Sequence, residues 1–392
     1  MRKPVAVSLF SGAGGLDIGM ERAGFQTISM CEIQPSFVAS LLRNRGSLKC
    51  DGHRYLSGTR IVEADIRTIR GQFLSEGAAV DCLIGGPPCQ AFSSSGRQLS
   101  VLDPRGSLIE EFLRMAQEIQ PLSFIFEIVR GIVTARDTDG RPGGAIRELF
   151  RKLEMTGYSC RAGLLNSADY GAFQRRVRCF IVGVRCGMAP EFPYPSHAED
   201  DATQSLFSPA KSPWRTLGEF LEHAADTDHV YPSAALAREL ERLGEGAGLK
   251  SGGVAEPTRP GGHWGYRQGT FIADTRLPAR TVTGSASQDW VRCQGVLRRL
   301  TLLEVKRLQG FPDDWILCGS KSDAFRQVGN AVPTVFGEVL GKTLIGHLAS
   351  VDPAWKARPV PFPRQFDAYI DYTMRDHARN ASARKVHLNF GA

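Results

Sequence analysis

The chain has 392 residues, 42% of them hydrophobic, and a formal charge of +7. That length and apolar fraction suit a large folded core in two domains and exclude a disordered chain. No apolar stretch reaches the length of a membrane span, and the nine cysteines lack paired CxxC spacing, so the expectation is a cytoplasmic protein with reduced thiols, no disulfide framework and no metal site. The positive charge suits a polyanionic partner without identifying one.

Val5 to Phe10 reads as a strand, Ser11-Gly12-Ala13-Gly14-Gly15 as a tight turn and Leu16 to Ala23 as the opening of a helix. In a doubly wound sheet such a turn brings backbone close to a cofactor, and a carboxylate at the tip of the next strand can accept ribose hydroxyls. Glu32, after Thr27-Ile28-Ser29-Met30-Cys31, stands at that tip; the alternative for the glycines is an ordinary tight turn. Thr59 to Ala64 predicts a third strand ending in Asp65-Ile66. There the acid either meets an adenine amino group or caps a helix.

Ala79-Val80-Asp81-Cys82-Leu83-Ile84 reads as a buried parallel strand that delivers Gly85-Gly86-Pro87-Pro88-Cys89-Gln90. The glycines permit close approach and the prolines fix the backbone before the sulfur. Cys89 is therefore a candidate nucleophile, against the alternative of a small buried hydrophobe. Pro104 to Gln120 predicts a helix, and Ser123-Phe124-Ile125-Phe126 a strand with Glu127 at its end. Burial would suit Glu127 as a proton donor; a salt bridge to Arg130 is the alternative. A helix over 145–155 and a strand over 158–166 lead to Gln174-Arg175-Arg176-Val177-Arg178 and a strand over 179–184. Extended backbone would place Gln174, Arg176 and Arg178 on one face, where forked guanidiniums suit a phosphate or a base carbonyl, or form a solvated basic edge.

From Met188 prolines punctuate a more irregular stretch with one short helix, Ala234 to Leu243. Regular structure resumes near Leu297, with Thr301 and Glu304 as a capping box and Gly310 as a stop. Gln327-Val328-Gly329-Asn330-Ala331-Val332-Pro333 then leads into a helix over 335–348. The expected division is a catalytic and cofactor domain over 1–187, a smaller irregular domain over 188–280, a return segment over 281–350 and a peripheral extension over 351–392.

Taken together, Phe10-Ser11-Gly12-Ala13-Gly14-Gly15, Gly86-Pro87-Pro88-Cys89-Gln90, Gln174-Arg175-Arg176-Val177-Arg178, Arg299-Leu300-Thr301 through Gly310-Phe311-Pro312 and Gln327 to Pro333 resemble, in order, the motifs of the DNA (cytosine-5)-methyltransferase family of bacterial restriction-modification type. The resemblance implies an α/β fold, a Rossmann-like S-adenosylmethionine-dependent methyltransferase sheet with a smaller irregular target-recognition domain. It implies S-adenosylmethionine held by Phe10, Gly12, Gly14 and Gly15, with Glu32 on the ribose, Asp65 and Ile66 at the adenine, and Pro87 and Asn330 also on the cofactor side. It implies that Cys89 adds to C6 of a flipped-out cytosine, that Glu127 supplies a proton at N3, that Arg176 and Arg178 hold the base carbonyl and the catalytic loop, and that 91–100 forms the lid.

The implied partner is double-stranded DNA bound by a monomer, with no membrane and with a companion restriction endonuclease left open. One departure stands out: the family's Glu-Asn-Val is Glu127-Ile128-Val129 here. Two alternatives accompany the main reading, cytosine-5 methylation of tRNA and a weakly active or noncatalytic DNA-binding member of the fold.

Overall fold

The computed structural model describes residues 2–88, 107–137, 139–199, 210–223, 228–250, 255–257, 266–351 and 357–375. Cys89, Gln90 and residues 91–106, which include the lid expected at 91–100, lie outside the described residues. The first half alternates strand and helix: β1 Val5–Leu9, α1 Gly15–Ala23, β2 Gln26–Glu32, α2 Pro35–Asn44, β3 Arg60–Glu63, α3 Gly71–Ser75, β4 Cys82–Gly85, α4 Ser107–Ile119, β5 Ser123–Val129, α5 Gly144–Met155, β6 Ser159–Asn166 and β7 Val177–Val184. These strands form a seven-stranded sheet in the order β3-β2-β1-β4-β5-β7-β6. β1 with β2, β2 with β3 and β4 with β5 run parallel, whereas β5 and β7 are antiparallel. β4 is buried along its whole length and β5 over all but its last residue, which is why both read as continuous apolar runs rather than alternating ones.

The second half has two short strands, β8 His197–Ala198 and β9 Ser212–Pro213, then helices α6 Leu217–Glu222 and α7 Ala234–Glu241. β10 Ala247–Lys250, β11 Ala255–Pro257 and β12 Tyr266–Phe271 make a three-stranded sheet in the order β11-β10-β12. β13 Trp290–Cys293 and β14 Val296–Arg299 form a hairpin whose two turn residues, Gln294 and Gly295, both have positive φ, the backbone of a tight twisted turn. Helices α8 Leu302–Leu308, α9 Lys321–Asn330, α10 Thr334–Ser350 and a helix over 364–375 follow among the described residues. The capping box expected at Thr301 and Glu304 is present, and Arg298 adds a buried bidentate pair to the same carboxylate at 2.9 and 2.7 Å.

The chain divides into two compact units. One comprises Met1–Ala79, Leu165–Val177 and Phe192–Ala349; the other comprises Val80–Leu164, Arg178–Glu191 and Ser350–Ala392. In the first, the core runs from Ala13 and Ile18 beside the glycine turn to Phe311, Trp315 and Phe325. Helices α1 and α10 touch backbone to backbone: a Cβ on Gly19 would stand 2.0 Å from the Thr334 carbonyl oxygen, and one on Gly337 2.3 Å from that of Leu16. In the second unit Phe112 of α4 packs edge-on against Phe124 and Phe126, with ring centroids 5.9 and 4.8 Å apart. A Cβ on Gly183 of β7 would fall 2.1 Å from the Phe124 ring, so the missing side chain makes room for that aromatic. The segment 357–375, read from sequence as an extension, packs in this unit with Val360, Phe366 and Ile370 buried.

Candidate active site

In the first unit, β1 ends in a turn of unusual backbone. Phe10 has φ 54°, and Gly12 and Gly14 have φ 58° and 85°, a left-handed conformation that costs a phenylalanine more than a glycine. The turn is tied down by Ser11, whose amide donates to the Cys31 carbonyl at 3.2 Å and whose hydroxyl donates to Ser8 Oγ at 2.9 Å. Gly15 faces inward, because a Cβ there would stand 2.3 Å from the Val332 carbonyl oxygen.

Glu32 ends β2 with its side chain buried. Its Oε2 accepts from the Gly12 amide at 2.8 Å, and its Oε1 accepts from the Ile33 and Gln34 amides at 2.9 Å each. Each carboxylate oxygen offers two lone-pair sites, so Oε2 keeps one acceptor position beyond the bond to Gly12. Beside it Ile33 is 51% exposed, an apolar side chain that sequence reasoning passed over because it is neither polar nor part of a strand. At the tip of β3, Asp65 does cap a 3-10 turn, Ile66–Thr68: its Oδ1 accepts from the Arg67 amide at 3.0 Å. The Arg67 guanidinium also grips it and holds its carboxyl below the usual range. Ile66 is buried.

α1 carries two further acids that the sequence reading did not single out. Burial, with the like charge of Glu21, pushes Asp17 up to about 7, and burial likewise pushes Glu21 up to about 7 against a hydrogen bond from the Leu56 amide. The spacing i, i+4 places them on one helix face.

Residues 174–176 enter a buried polar network in the same unit. The Gln174 amide donates to the Leu308 carbonyl at 2.9 Å and to Gln309 Oε1 at 2.8 Å, and its Oε1 accepts from the Val282 amide. Gln309 donates in turn to the Val328 carbonyl at 2.7 Å. Arg176 is buried, with its guanidinium donating to the carbonyls of Val282 at 2.9 Å and Gly329 at 2.8 Å. Its fork thus braces main chain. Asn330, the last residue of α9, is exposed, and its Oδ1 lies 3.3 Å from where a Cβ on Gly284 would be.

In the second unit Pro87 is buried at the end of the β4 segment. Glu127 lies within β5 rather than at its end, because Ile128 and Val129 continue the ladder opposite Cys179 and Arg178 of β7. Its partner is Arg178, Nε to Oε1 at 3.0 Å, with both side chains largely buried. The alternative partner Arg130 lies instead over the ring of Tyr369. Glu127 and Arg178 are diagonal neighbours across the ladder, a relation no sequence spacing encodes. A Cβ on Gly86 would come within 2.6 Å of Glu127 Oε2, so the carboxylate rests directly on that glycine. Ile128 is fully buried, and adjacent strand residues point to opposite faces.

Among the described residues no helix is long and apolar enough to cross a membrane. Solved structures share the fold: an Entamoeba histolytica methyltransferase, EhMeth, at TM-score 0.58 and 14% identity over 89% of this chain and 99% of that one, and the Schizosaccharomyces pombe Dnmt2 methyltransferase at 0.58 and 15% over 88% and 99%. In sequence the chain is 30% identical to the Type II methyltransferase M.FnuDI of Fusobacterium nucleatum over 354 residues, which are 86% of this chain and 93% of the relative. It is also 30% identical to M.NgoMIV of Neisseria gonorrhoeae over 347 residues, 87% and 96%. Residues 5–346 match the C-5 cytosine-specific DNA methylase family. With that match spanning both the glycine turn and the Glu127–Arg178 pair, the chain belongs to the C-5 cytosine-specific DNA methylase family.

Proposed function

We propose that the protein transfers a methyl group from S-adenosylmethionine to C5 of a flipped-out cytosine in a specific duplex DNA sequence, as the modification arm of a Type II system. The observation that carries this reading is the Glu127–Arg178 pair resting on Gly86, three residues before Cys89 in the chain. Cytosine C5 is a poor nucleophile. The Cys89 thiolate adds to C6, breaks the 5,6 double bond and makes C5 enamine-like, while Glu127 gives a proton at N3 so that negative charge does not build on the ring. C5 then takes the methyl with its electron pair; the C5 proton passes to solvent, the N3 proton returns to Glu127, and the reforming 5,6 double bond expels Cys89 as the thiolate. Arg178 orients Glu127 and the base carbonyl, whereas Arg176 works through the main chain it braces.

The cofactor supplies an electrophilic sulfonium methyl when bound. The first unit's residues fit its adenosine end: the spare acceptor site on Glu32 Oε2 suits a ribose hydroxyl, and exposed Ile33 offers an apolar face for a purine. Asp65 and Ile66 take the adenine edge, Phe10 with Gly12 and Gly14 line the turn, and Asn330 of the same unit belongs to the cofactor side. Gly15 serves through its packing on Val332.

The test is transfer of labelled methyl to duplex DNA and to tRNA, with Cys89→Ala as control. DNA labelling that vanishes in the variant is expected. Labelling of tRNA alone, or labelling that survives Cys89→Ala, would sink the reading.

A further inference from the structure

The family match ends at residue 346, yet the described chain continues as an ordered strap over 357–375. Its start is fixed to the chain just past β7, where the Arg358 amide donates to the Gly187 carbonyl at 2.7 Å and Met188 and Arg358 form a parallel bridge. The strap then crosses α5. Phe362 packs edge-on against Phe150 at 5.5 Å, and Arg147 lies over the Phe362 ring at 4.5 Å while pairing with Asp367. Its far part reaches the chain just past β5. Ile370 sits on Gly143, where a Cβ would be 2.2 Å from Ile370 Cδ1 and 3.2 Å from the Val133 carbonyl oxygen, and the Arg130 guanidinium lies 5.9 Å from the Tyr369 ring centroid.

The order of these anchors matters. β5 and β7 pair antiparallel from Ser123↔Val184 at one end to Val129↔Arg178 at the other. Gly187 follows the first end and Arg130 the second, so the strap is attached just beyond both ends of the ladder on which Glu127 and Arg178 stand. A strand pair is loosest at its ends, where hydrogen bonds fray first. Ile128, the residue after Glu127, is fully buried and brings no polar group to restrain the turn that follows it.

We propose that Tyr369 and Ile370 are positioning residues for the reaction: the strap holds the turn after β5 and so keeps the Glu127–Arg178 pair in register. The proposal rests on the reading of Glu127 as proton donor. Neither residue would touch substrate or cofactor.

The test uses the full chain with Tyr369→Ala and Ile370→Ala, measuring amide hydrogen exchange over residues 128–133, kcat for methyl transfer and the Kd for S-adenosylmethionine. Faster exchange with kcat reduced about tenfold, as expected for a displaced proton donor, and an unchanged Kd is the predicted result. The Kd should hold because Glu32 belongs to the other compact unit. Unchanged exchange, or a lower melting temperature with wild-type kcat, overturns the proposal. Failure of the reading beneath it shows separately, as wild-type methylation by Glu127→Gln, and the exchange arm still decides whether the strap restrains the ladder.

Discussion

Arg178 reaches Glu127 diagonally across an antiparallel ladder, Nε to Oε1 at 3.0 Å, on strands where Glu127 faces Phe180 and Arg178 faces Val129. The pair orients a carboxyl that would otherwise sit largely buried without that guanidinium. Arg178→Leu is expected to lower kcat about 100-fold, the scale of losing one charged group aimed at the reacting centre. Arg178→Lys should recover only part of this, because a point charge replaces a planar fork. Steady-state transfer of tritiated methyl to duplex DNA measures both, and a wild-type rate in Arg178→Leu contradicts the assignment.

Gly86→Ala tests the same carboxyl from below. The added methyl would stand 2.6 Å from Glu127 Oε2, closer than atoms pack, so the carboxylate must move. A shift of this size costs up to about 100-fold in rate. The expected outcome is a kcat loss with far-ultraviolet circular dichroism unchanged.

Glu32→Gln should weaken the proposed cofactor cradle. Three backbone amides donate to Glu32, and an amide side chain must turn an N–H toward at least one of them. A buried clash of donors costs about 1–3 kcal/mol, and every 1.4 kcal/mol is about tenfold in affinity. Calorimetric titration with S-adenosylmethionine is expected to show binding weakened by about 5- to 100-fold.

Asp17 and Glu21 make stability depend on pH. Their unfolded values are near 3.8 and 4.5, and their folded values are pushed up to about 7. Between those limits the folded chain holds protons that the unfolded chain has released. Their contribution is therefore complete at low pH, falls as pH rises toward 7 and is flat above it. Asp17→Asn cannot ionise, so its stability relative to wild type should increase from about pH 5 to about pH 8. Urea midpoints at the two pH values decide this, and a constant difference would remove Asp17 as a titrating group.

The buried Arg298–Glu304 pair predicts a purely structural defect. Arg298→Met leaves the fully buried Glu304 without its bidentate partner, a change that costs about 3–5 kcal/mol. Urea unfolding should show it.

What the sequence disclosed was local chemistry. The glycine turn, the acid at the tip of β2 and the capping box of Thr301 with Glu304 are each written within a few residues of one another, and the structure has all three. Sequence put the adenine contact of Asp65 ahead of the cap; the turn cap is present, held by Arg67. Pairings made by folding were hidden. Arg130 was the nearer cation to Glu127 in sequence, yet β7 delivers Arg178, and Gln174 finds Gln309 across 135 positions. The hairpin of β13 and β14 was missed because Gln294-Gly295 is a weaker turn signal than Asn-Gly or Asp-Gly.

The close contact of α1 with α10 sets a timetable for synthesis. Gly15 and Gly19 leave the ribosome long before the surfaces they require, because Val332, Thr334 and Gly337 are more than three hundred positions downstream. Contacts so distant in the chain form late, since a long loop must close before they can stabilise anything. The glycine turn therefore emerges early and is buttressed late, and a nascent chain stalled short of α10 should lack the support that holds the turn in place.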